Sequence, residues 1–500
     1  MKQIRYYQII TAFCCLLLIS CGIDKNLKKG EKFLSLGEYY DAADQFKQAY
    51  TKTPPKEREN RGKLALKMAR CYNKINATPK AVNAYRNAIR YNQASLDDHL
   101  AYARLLLKNG EYKQAEKEFR ILVDSMPDNI LAQNGMKSAQ MAPGWKKAGS
   151  RYQVKKMDVF TSRRADYSPM LLGDEYEQIY FTSTRNDAQG DELSGITGTK
   201  AGDIFYSEKD DKGKWSRPEA ITTGLNTDYD EGACCFTPDG KEMYLTQCVT
   251  DPASPRFAQI VTSSRSDAAW GKVQKLEITQ DTLSTYAHPA ISPDGEWLYF
   301  VSDMPGGMGG YDIWRVRITP SGLGGVENLG APINTPGDEM FPTFRPNGDL
   351  YFSSNGHIGM GGLDIYIARI DEKTRQYKIE HPGYPLNSEA DDFGMTFEGL
   401  HNRGFFSSNR KDGRGYDHIY SFENPEIVTT MKGWVYEKDG YELPAAQVMV
   451  VGNDGTYKKL PVKGDGSFTM PIHPKVDYLV MASCKGFLNH KEELRIDSAK

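Results

Sequence analysis

The feature that most constrains this chain is a unit of about 53 residues that recurs through its middle region. A strand-like segment centred on an aromatic residue appears five times, with spacings of 64, 55, 52 and 54 residues: Tyr180, Tyr244, Tyr299, Tyr351 and Phe405. Proline-led turns such as "FTPDGK" and "ISPDGE" precede these strands, and further strand-like segments follow them. About four short strands in a unit of this length are typical of a propeller blade. The sequence therefore predicts a five-bladed β-propeller over residues 150–426.

Two of the copies contain nearly the same glycine-rich turn, "GGMGGYD" and "GMGGLD", with Asp312 and Asp364 in equivalent positions. A phosphate-binding loop would need a helix after the glycines, but the segment "DIWRVRI" is strand-like. We therefore expect the glycines to turn the chain between the second and third strands, with Asp312 or Asp364 capping the turn. The proline–aspartate–glycine strand motif resembles the propeller repeats of TolB and its relatives.

The last unit lacks an obvious fourth strand, while a strand-like segment, "RYQVKKMDVF", precedes the first unit. We predict that residues near Val154 to Phe160 complete the last blade. Such a pairing would remove two open sheet edges, which otherwise invite aggregation.

Residues 21–142 show apolar positions at helical spacing and almost no strand signal. The pattern resembles tetratricopeptide (TPR) repeats in its glycine, alanine and aromatic positions, which include Gly37, Ala42, Phe46, Gly110, Ala115 and Phe119. The resemblance implies an α-solenoid with a concave surface for peptides or partner proteins. An unrelated helical bundle is the alternative.

Residues 427–497 alternate apolar and polar residues between Asp-Gly and Pro turns, with about seven short strands. This pattern predicts a small β-sandwich and resembles carboxypeptidase regulatory-like domains, which are accessory modules, so no peptidase is implied. The predicted fold class is multidomain, α plus all-β: a TPR α-solenoid, a five-bladed β-propeller and a small β-sandwich.

The first twenty residues have the charge and apolar core of an export signal, and they end in "LISC". This ending resembles a bacterial lipobox with Cys21 as the lipidated residue, although a cleaved signal with a chance cysteine is the alternative. No acidic cluster follows Cys21. We therefore expect a lipid-anchored protein of the outer membrane that faces the periplasm.

Composition and motifs exclude several function classes. A net charge of -2 does not indicate a surface that binds nucleic acid. The cysteines do not have the sequence spacing of zinc ligands. Cys234 and Cys248 could form a disulfide, but small buried residues are the simpler interpretation. The sequence contains no nucleophile elbow, metalloprotease motif or Walker loop. We therefore predict no metal, no cofactor and no enzymatic activity.

Acidic residues recur on the loop that leads into four of the five units. They are Asp166, Asp230, Glu231, Asp338, Glu339, Asp391 and Asp392. In a propeller these loops surround the axis on one face, so the carboxylates could form a partial ring that binds a cation or a basic partner. The alternative is that they cap the turn entering each inner strand.

The order of lipobox, TPR array, propeller and regulatory-like sandwich resembles the PorE-like outer-membrane lipoproteins of the type IX secretion and gliding machinery of Bacteroidota. The resemblance implies a periplasmic adaptor or scaffold, anchored in the inner leaflet of the outer membrane, that binds partners such as PorP-like barrel proteins and helps tether the machine to the cell wall. In that family a C-terminal OmpA-like domain binds peptidoglycan.

No OmpA-like segment follows the sandwich before Lys500. We expect either that the chain is a truncated portion of a longer protein or that wall binding is absent, and we assign no wall-contacting residue. The competing hypothesis is a glycan-binding or hydrolytic propeller lipoprotein of an outer-membrane uptake system.

Overall fold

The structure is a computed structural model that describes residues 24–190, 193–249, 257–266, 269–371, 373–425, 429–473 and 476–495. It separates into two compact units, Met1–Asn424 and Pro425–Lys500, and each is described by itself. In these ranges none of the helices combines the length and apolar character required to cross a membrane. The predicted signal peptide and Cys21 lie outside the described residues.

Helices form the N-terminal segment of the first unit, and from the second helix onward each contacts the next. Small residues let them approach closely: a Cβ atom on Gly30 would lie 2.5 Å from the ring of Phe46, and one on Gly135 would lie 2.3 Å from the ring of Phe119. Both phenylalanines are fully buried. The helices are α1 (24–35), α2 (Tyr39–Lys52), α3 (Arg58–Lys74), α4 (Thr78–Arg90), α5 (Leu96–Lys108), α6 (Tyr112–Ser125) and α7 (Ile130–Ala148).

Five small antiparallel sheets follow, and a preceding strand, β1 (Gln153–Lys156), joins the fifth. The first sheet contains β2 (Asp166–Leu172), β3 (Gln178–Ser183), β4 (Asp203–Glu208) and β5 (Glu219–Ala220). The second contains β6 (Asp230–Phe236), β7 (Glu242–Val249), β8 (Phe257–Ser266), β9 (Ala269–Trp270) and β10 (Gln274–Lys275). The third contains β11 (Tyr286–Ile291), β12 (Trp297–Ser302), β13 (Asp312–Thr319) and β14 (Gly322–Asn328). The fourth contains β15 (Glu339–Phe344), β16 (Leu350–Ser354), β17 (Asp364–Ile370) and β18 (Tyr377–Glu380), and the fifth contains β19 (Asp392–Phe397), β20 (Arg403–Ser408) and β21 (His418–Glu423).

The second strand of each sheet carries the aromatic anchor of the repeat and is buried on both faces. In β12, Leu298 and Phe300 pack in a core shared with the second sheet, while Tyr299 and Val301 pack in a core shared with the fourth. A strand covered on both faces has apolar residues in succession instead of alternation, which explains the recurring "YF" of these segments.

The first strands of the five sheets form a closed circle, because β2, β6, β11, β15 and β19 each contact the next and β19 contacts β2. Hydroxyl groups on second strands reinforce the circle by accepting a backbone N–H from the neighbouring first strand. The donor and acceptor residues are Ala233 and Thr182 at 3.2 Å, His288 and Thr246 at 2.9 Å, and Ser168 and Ser407 at 2.7 Å.

Strand β1 closes this ring, as the sequence predicted. It pairs antiparallel with β21, placing Val154 opposite Phe422. The strand ends at Lys156, earlier than expected. Phe160 is instead fully buried in a core that joins the first and fifth sheets. The segment therefore connects these sheets both by strand pairing and by apolar packing.

The C-terminal unit contains two small antiparallel sheets around its own core, which includes Val448, Val450, Phe468 and Met470. One sheet pairs β22 (Thr429–Trp434) with β25 (Ser467–Ile472). The other has the order β24-β23-β26-β27, from β23 (Gln447–Gly452), β24 (Tyr457–Pro461), β26 (Tyr478–Ser483) and β27 (His490–Leu494).

The fold class predicted from the sequence needs correction. It placed a TPR α-solenoid, a five-bladed propeller and a β-sandwich as separate domains, whereas the helices and the five sheets belong to one compact unit. The described chain is mostly β, with one helical segment and many small antiparallel sheets. A local repeat cannot reveal this arrangement, because the contacts that join helices to sheets link distant residues, such as Arg104 and Asn355, which are 251 positions apart.

Candidate functional site

Four of the acidic residues singled out by the sequence begin or adjoin the first strand of a sheet and are almost completely buried. Each carboxylate accepts the backbone N–H of a serine or threonine four residues earlier. The pairs are Asp166 with Ser162 at 2.6 Å, Glu231 with Thr227 at 3.0 Å, Glu339 with Thr335 at 2.8 Å and Asp392 with Ser388 at 2.6 Å. In these contacts the carboxylates cap loops, which is one of the two roles that the sequence left open.

The other three acidic residues connect neighbouring sheets. Each accepts a backbone N–H from the segment that leads into a third strand of the preceding sheet. The pairs are Asp230 with Gly202 at 2.6 Å, Asp338 with Tyr311 at 3.1 Å and Asp391 with Leu363 at 2.9 Å. Such bonds to charged acceptors are stronger than neutral ones, so they stabilise the ring.

A set of buried asparagines on the same loops has a role that the sequence did not suggest. Each asparagine side chain accepts a hydrogen bond from the backbone N–H of one residue in the third strand of a sheet and donates one to the backbone C=O of the same residue. A neighbouring strand would make the same two hydrogen bonds. The pairs are Asn226 with Ile204, Asn334 with Ile313 and Asn387 with Ile365. The "LN" and "IN" dipeptides that precede the second, fourth and fifth units were the available signal.

Helices of the same chain cover these loops at the fourth and fifth sheets. Basic side chains of α5 and α7 bind them, in the pairs Lys108 with Asp391, Arg104 with Asn355, and Lys146 with Glu389 at 3.0 Å. The ring of Trp145 also stacks on His381, with 4.5 Å between the ring centroids. The basic groups that meet these acidic loops therefore belong to the chain itself.

Burial raises the pKa of Glu231 and of Glu339 to about 7, although hydrogen bonds from threonine side chains oppose the shift. The negative charge of Asp203 raises the pKa of Glu231 further, and that of Asp312 raises the pKa of Glu339 further. The unfolded chain releases the same protons near the ordinary glutamate value of 4.5. Between pH 4.5 and about pH 7 the folded chain binds more protons than the unfolded chain does. The contribution of the two glutamates to the free energy of unfolding is therefore largest at low pH, and it is lost as the pH rises through about 7.

We therefore expect the free energy of unfolding of the first unit to fall between about pH 5 and about pH 8. Each of the two groups contributes up to about 3 kcal/mol to this change, since one pKa unit corresponds to about 1.4 kcal/mol. Glu339→Gln should flatten the pH dependence in urea denaturation, and Glu175→Gln, at an exposed turn, serves as the control. If the free energy of unfolding depended on pH equally in the two variants, Glu339 would not be a source of the pH dependence.

Each first strand contains a β-bulge at the axis of the ring, with one residue at positive φ. These residues are Ser168, Ala233, His288, Phe341 and Gly394, with φ between 43° and 63°. The ring of His288 stacks on that of Phe341 at 3.7 Å. A cavity of about 20 Å³ remains there, which is room for about one water molecule. Side chains therefore largely fill the axis at this level.

An open depression of about 320 Å³ lies at the far ends of the first strands, away from the helix-covered loops. All five sheets contribute to its lining. The aromatic residues are Tyr176, Phe236, Phe344 and Phe397, the hydroxyl residues are Thr237, Ser292, Thr343 and Thr396, and the charged residues are Asp174 and Arg345. We call this feature the axial depression.

The two charged residues of the axial depression differ in their freedom. The Arg345 guanidinium lies 5.2 Å from the centre of the Phe397 ring and donates to the side-chain oxygen of Asn402 at 3.0 Å. It is therefore held in place. Asp174 lies in the turn between β2 and β3 and is exposed to solvent, so its carboxylate can meet a ligand.

Sequence reasoning noted the turns that form the axial depression but not the site itself. The segments "FTPDGK", "ISPDGE" and "FRPNGD" were interpreted only as proline-led turns. The structure places the residue before each proline, Thr237, Ser292 and Arg345, in the lining. A polar residue repeated at this position was the signal available in the sequence.

A second cavity, of about 270 Å³, lies beside β8 and the connection that follows the second sheet. It is smaller and is lined by β8, the connection and the strand residues Lys275 and Tyr286 that flank the connection, so the axial depression, which all five sheets line, is the stronger candidate for a ligand site. Among the described residues, no group of three or more His, Cys, Asp or Glu is arranged to hold a metal ion. Cys234 and Cys248 are both free thiols.

No family model and no curated protein matches the chain. Among solved structures it is similar to the endo-arabinase from Bacteroides thetaiotaomicron, with a TM-score of 0.34 and 16% identity over 57% of this chain and 99% of the other. It is also similar to the α-L-arabinofuranosidase from Lactobacillus brevis, with a TM-score of 0.33 and 12% identity over 58% and 95%. The chain is also similar to a mutant puromycin hydrolase, with a TM-score of 0.29 and 11% identity. The match covers 58% of this chain and 59% of the hydrolase.

The prediction that the chain has no enzymatic activity is withdrawn, since the solved structures reported above are enzymes. The sequence-based exclusion rested on the absence of short motifs. Catalytic groups can instead come from several separate loops on a rigid scaffold, and in that case no short sequence motif identifies them. The TM-scores lie below 0.5, so no reaction is inferred from these likenesses.

Proposed function

We propose that the chain is a glycan-binding or glycan-hydrolysing protein whose ligand occupies the axial depression. The observation that carries this proposal is the joint presence of four aromatic rings and the exposed Asp174 carboxylate around one open cavity of about 320 Å³. Three of the four lining hydroxyls, on Thr237, Ser292 and Thr396, already hydrogen-bond within the chain. Sugars present apolar C–H faces that pack on such rings, and hydroxyl groups that donate to such a carboxylate. The volume is near the lower limit for small-molecule sites, so we expect a ligand of about one or two sugar units.

The charged residues support a neutral, hydroxyl-rich ligand. Asp174 can accept hydrogen bonds from sugar hydroxyls, and bonds to a charged acceptor contribute about 1.5–3 kcal/mol each. Both terminal nitrogens of Arg345 already donate to protein oxygens, so they are not free to bind an anion in the two-pronged way that guanidinium groups favour. Both features favour a carbohydrate over a phosphate or a carboxylate ligand.

Hydrolysis of a glycoside ordinarily requires two carboxyl groups about 5–10 Å apart. Among the described lining residues Asp174 is the carboxylate that the axial depression presents. The geometry therefore supports binding more directly than bond cleavage, and cleavage is measured in the same experiment.

We expect Asp174→Asn to weaken binding of an oligosaccharide at least tenfold, because a charged acceptor becomes a neutral one. Titration calorimetry with arabino-, xylo- and cello-oligosaccharides measures this change, and release of reducing ends from the same samples reports hydrolysis. The control is Asp211→Asn, which alters an exposed residue of the same sheet outside the lining. Absence of binding by the parent chain, or equal affinities for the two variants, would contradict the proposal.

The adaptor role in type IX secretion, its PorP-like partners, the peptidoglycan tether, the lipid anchor at Cys21 and the periplasm-facing location remain predictions from the resemblance. The basic side chains of α5 and α7 are already bound to the sheets of the same chain. An adaptor would have to bind its partners through other surfaces of the helical segment or of the ring.

A further inference from the structure

Aromatic rings at the axis close the inner end of the axial depression, which we call its floor. The ring centroids of His288 and Phe341 lie 3.7 Å apart, and those of Phe341 and Phe393 lie 4.4 Å apart. The cavity that remains at this level has a volume of about 20 Å³, which is room for about one water molecule. A sugar ring is much larger than a water molecule, so a glycan chain cannot pass along the axis.

The wall of the axial depression is closed on all sides. In the described part of the chain, an apolar core lies between each pair of neighbouring sheets, including the fifth and the first. The aromatic residues of the lining belong to these cores or pack against them: Phe236 between the first and second sheets, Phe344 between the third and fourth, Phe397 between the fourth and fifth, and Tyr176 between the fifth and first. A ligand chain therefore cannot leave the depression between two sheets.

The exposure of the lining residues falls from the rim of the depression to its floor. Asp174 and the prolines of three turns, Pro238, Pro293 and Pro346, are exposed at the rim. Thr343 is only 7% exposed, and it lines both the depression and the small cavity at the axis. As formed by the described residues, the depression is therefore a pocket with one opening.

Thr343 places an available polar group at the floor. The other three hydroxyls of the lining hydrogen-bond within the chain. Among the described residues, the hydroxyl of Thr343 has no hydrogen-bond partner. A buried hydroxyl without a partner is costly, so a ligand group that reaches the floor gains a hydrogen bond there. A hydroxyl can both donate and accept, which suits a sugar hydroxyl.

We propose that the axial depression binds the free end of a glycan chain and not an internal stretch of it. This inference rests on the proposed function, because it specifies which part of a glycan occupies the site. An internal sugar has a neighbour on each side, and both neighbours would have to leave through the single opening of a pocket that holds about one or two units. A terminal sugar has one neighbour, so the rest of the chain extends from the pocket into solvent.

The chemistry of the floor favours a terminal sugar for a second reason. The oxygen atom of a glycosidic linkage carries no hydrogen, so it can accept a hydrogen bond but cannot donate one. A terminal sugar keeps the hydroxyl that an internal sugar uses for a linkage. It therefore both donates to and accepts from Thr343 at the floor, while hydroxyls nearer the opening donate to Asp174 at the rim.

Titration calorimetry with linear arabino- and xylo-oligosaccharides, from disaccharides to long chains, tests this proposal. We expect one protein molecule to bind per glycan chain at every length. We also expect Kd to change by less than about twofold beyond the trisaccharide, because additional units lie outside the pocket. If the number of protein molecules per chain rose with chain length, the site would bind internal stretches. That result would overturn this inference and leave the proposed function in place, whereas absence of binding by every oligosaccharide would overturn the proposed function itself.

Thr343→Val tests the contact at the floor, because it keeps the shape of the side chain and removes the hydroxyl. We expect binding to weaken about fivefold at every chain length, since one hydrogen bond is lost. The control is Thr223→Val, at an exposed position outside the lining, and it should bind like the parent chain. Equal affinities of the two variants would contradict the contact with Thr343. Circular dichroism checks that the variants fold, and the number of parent molecules per chain tests end binding independently of them.

Discussion

Phe160→Ala is expected to lower the free energy of unfolding of the first unit by about 4 kcal/mol. The Phe160 side chain is fully buried. Its ring lies 5.6 Å from that of Phe181 in the first sheet and 6.0 Å from that of Phe405 in the fifth. The substitution therefore opens a cavity at the place where the ring of sheets closes. A cavity there cannot collapse easily, because strand pairing holds the sheets on both sides.

Urea denaturation followed by tryptophan fluorescence measures this change, since the ring of Trp215 lies 5.5 Å from that of Phe160. The adjacent Val159→Ala is the matched control, because Val159 is 39% exposed. It should change stability by less than about 1 kcal/mol. A loss of similar size in both variants would show that Phe160 does not hold the closure together.

Gly361→Ala is expected to destabilise the first unit by at least about 3 kcal/mol, because the new side chain has no space. A Cβ atom at this position would lie 1.8 Å from the carbonyl oxygen of Glu389. The backbone of Gly362 also donates to that oxygen at 3.1 Å. The fourth and fifth sheets would have to move apart, and the contact between Glu389 and Lys146 would weaken.

Gly325→Ala provides the matched control, because nothing lies within 4 Å of a Cβ atom built there. It changes a glycine that, like Gly361, does not have a positive φ and that lies in a strand of the third sheet, and we expect a change of less than about 1 kcal/mol. Chemical denaturation of the two variants under the same conditions separates steric exclusion from loss of glycine flexibility. Equal effects would favour flexibility and contradict the steric explanation.

The glycine-rich turns show how far sequence reasoning reached. We predicted that Asp312 and Asp364 cap these turns, and they accept the backbone N–H of Met308 and Met360. We also predicted that the glycines turn the chain tightly. Gly361 does not have a positive φ, so its role is the close approach of two backbones. Sequence spacing identified the motif, but the neighbouring loop that excludes a side chain became visible only in three dimensions.

The candidate site was predictable only in part. The acidic residues of the loops stood out because they recur at equivalent positions in four of the five units, and either ligand binding or turn capping could explain that recurrence. The axial depression did not stand out, because each sheet contributes only a few residues to it. No single unit of the repeat contains enough of the lining to indicate a cavity.

The sequence by itself determined the length of the repeat, the positions of the buried second strands and the strand that closes the ring. These follow from short runs of apolar residues and from the chemistry of turns, which act over a few neighbouring residues. Only the tertiary structure decided that helices and sheets share one unit, that Asp391 pairs with Lys108, and that five turns enclose a cavity. Those properties depend on contacts between particular side chains that lie far apart in the chain, and the repeat pattern does not specify which of these side chains meet.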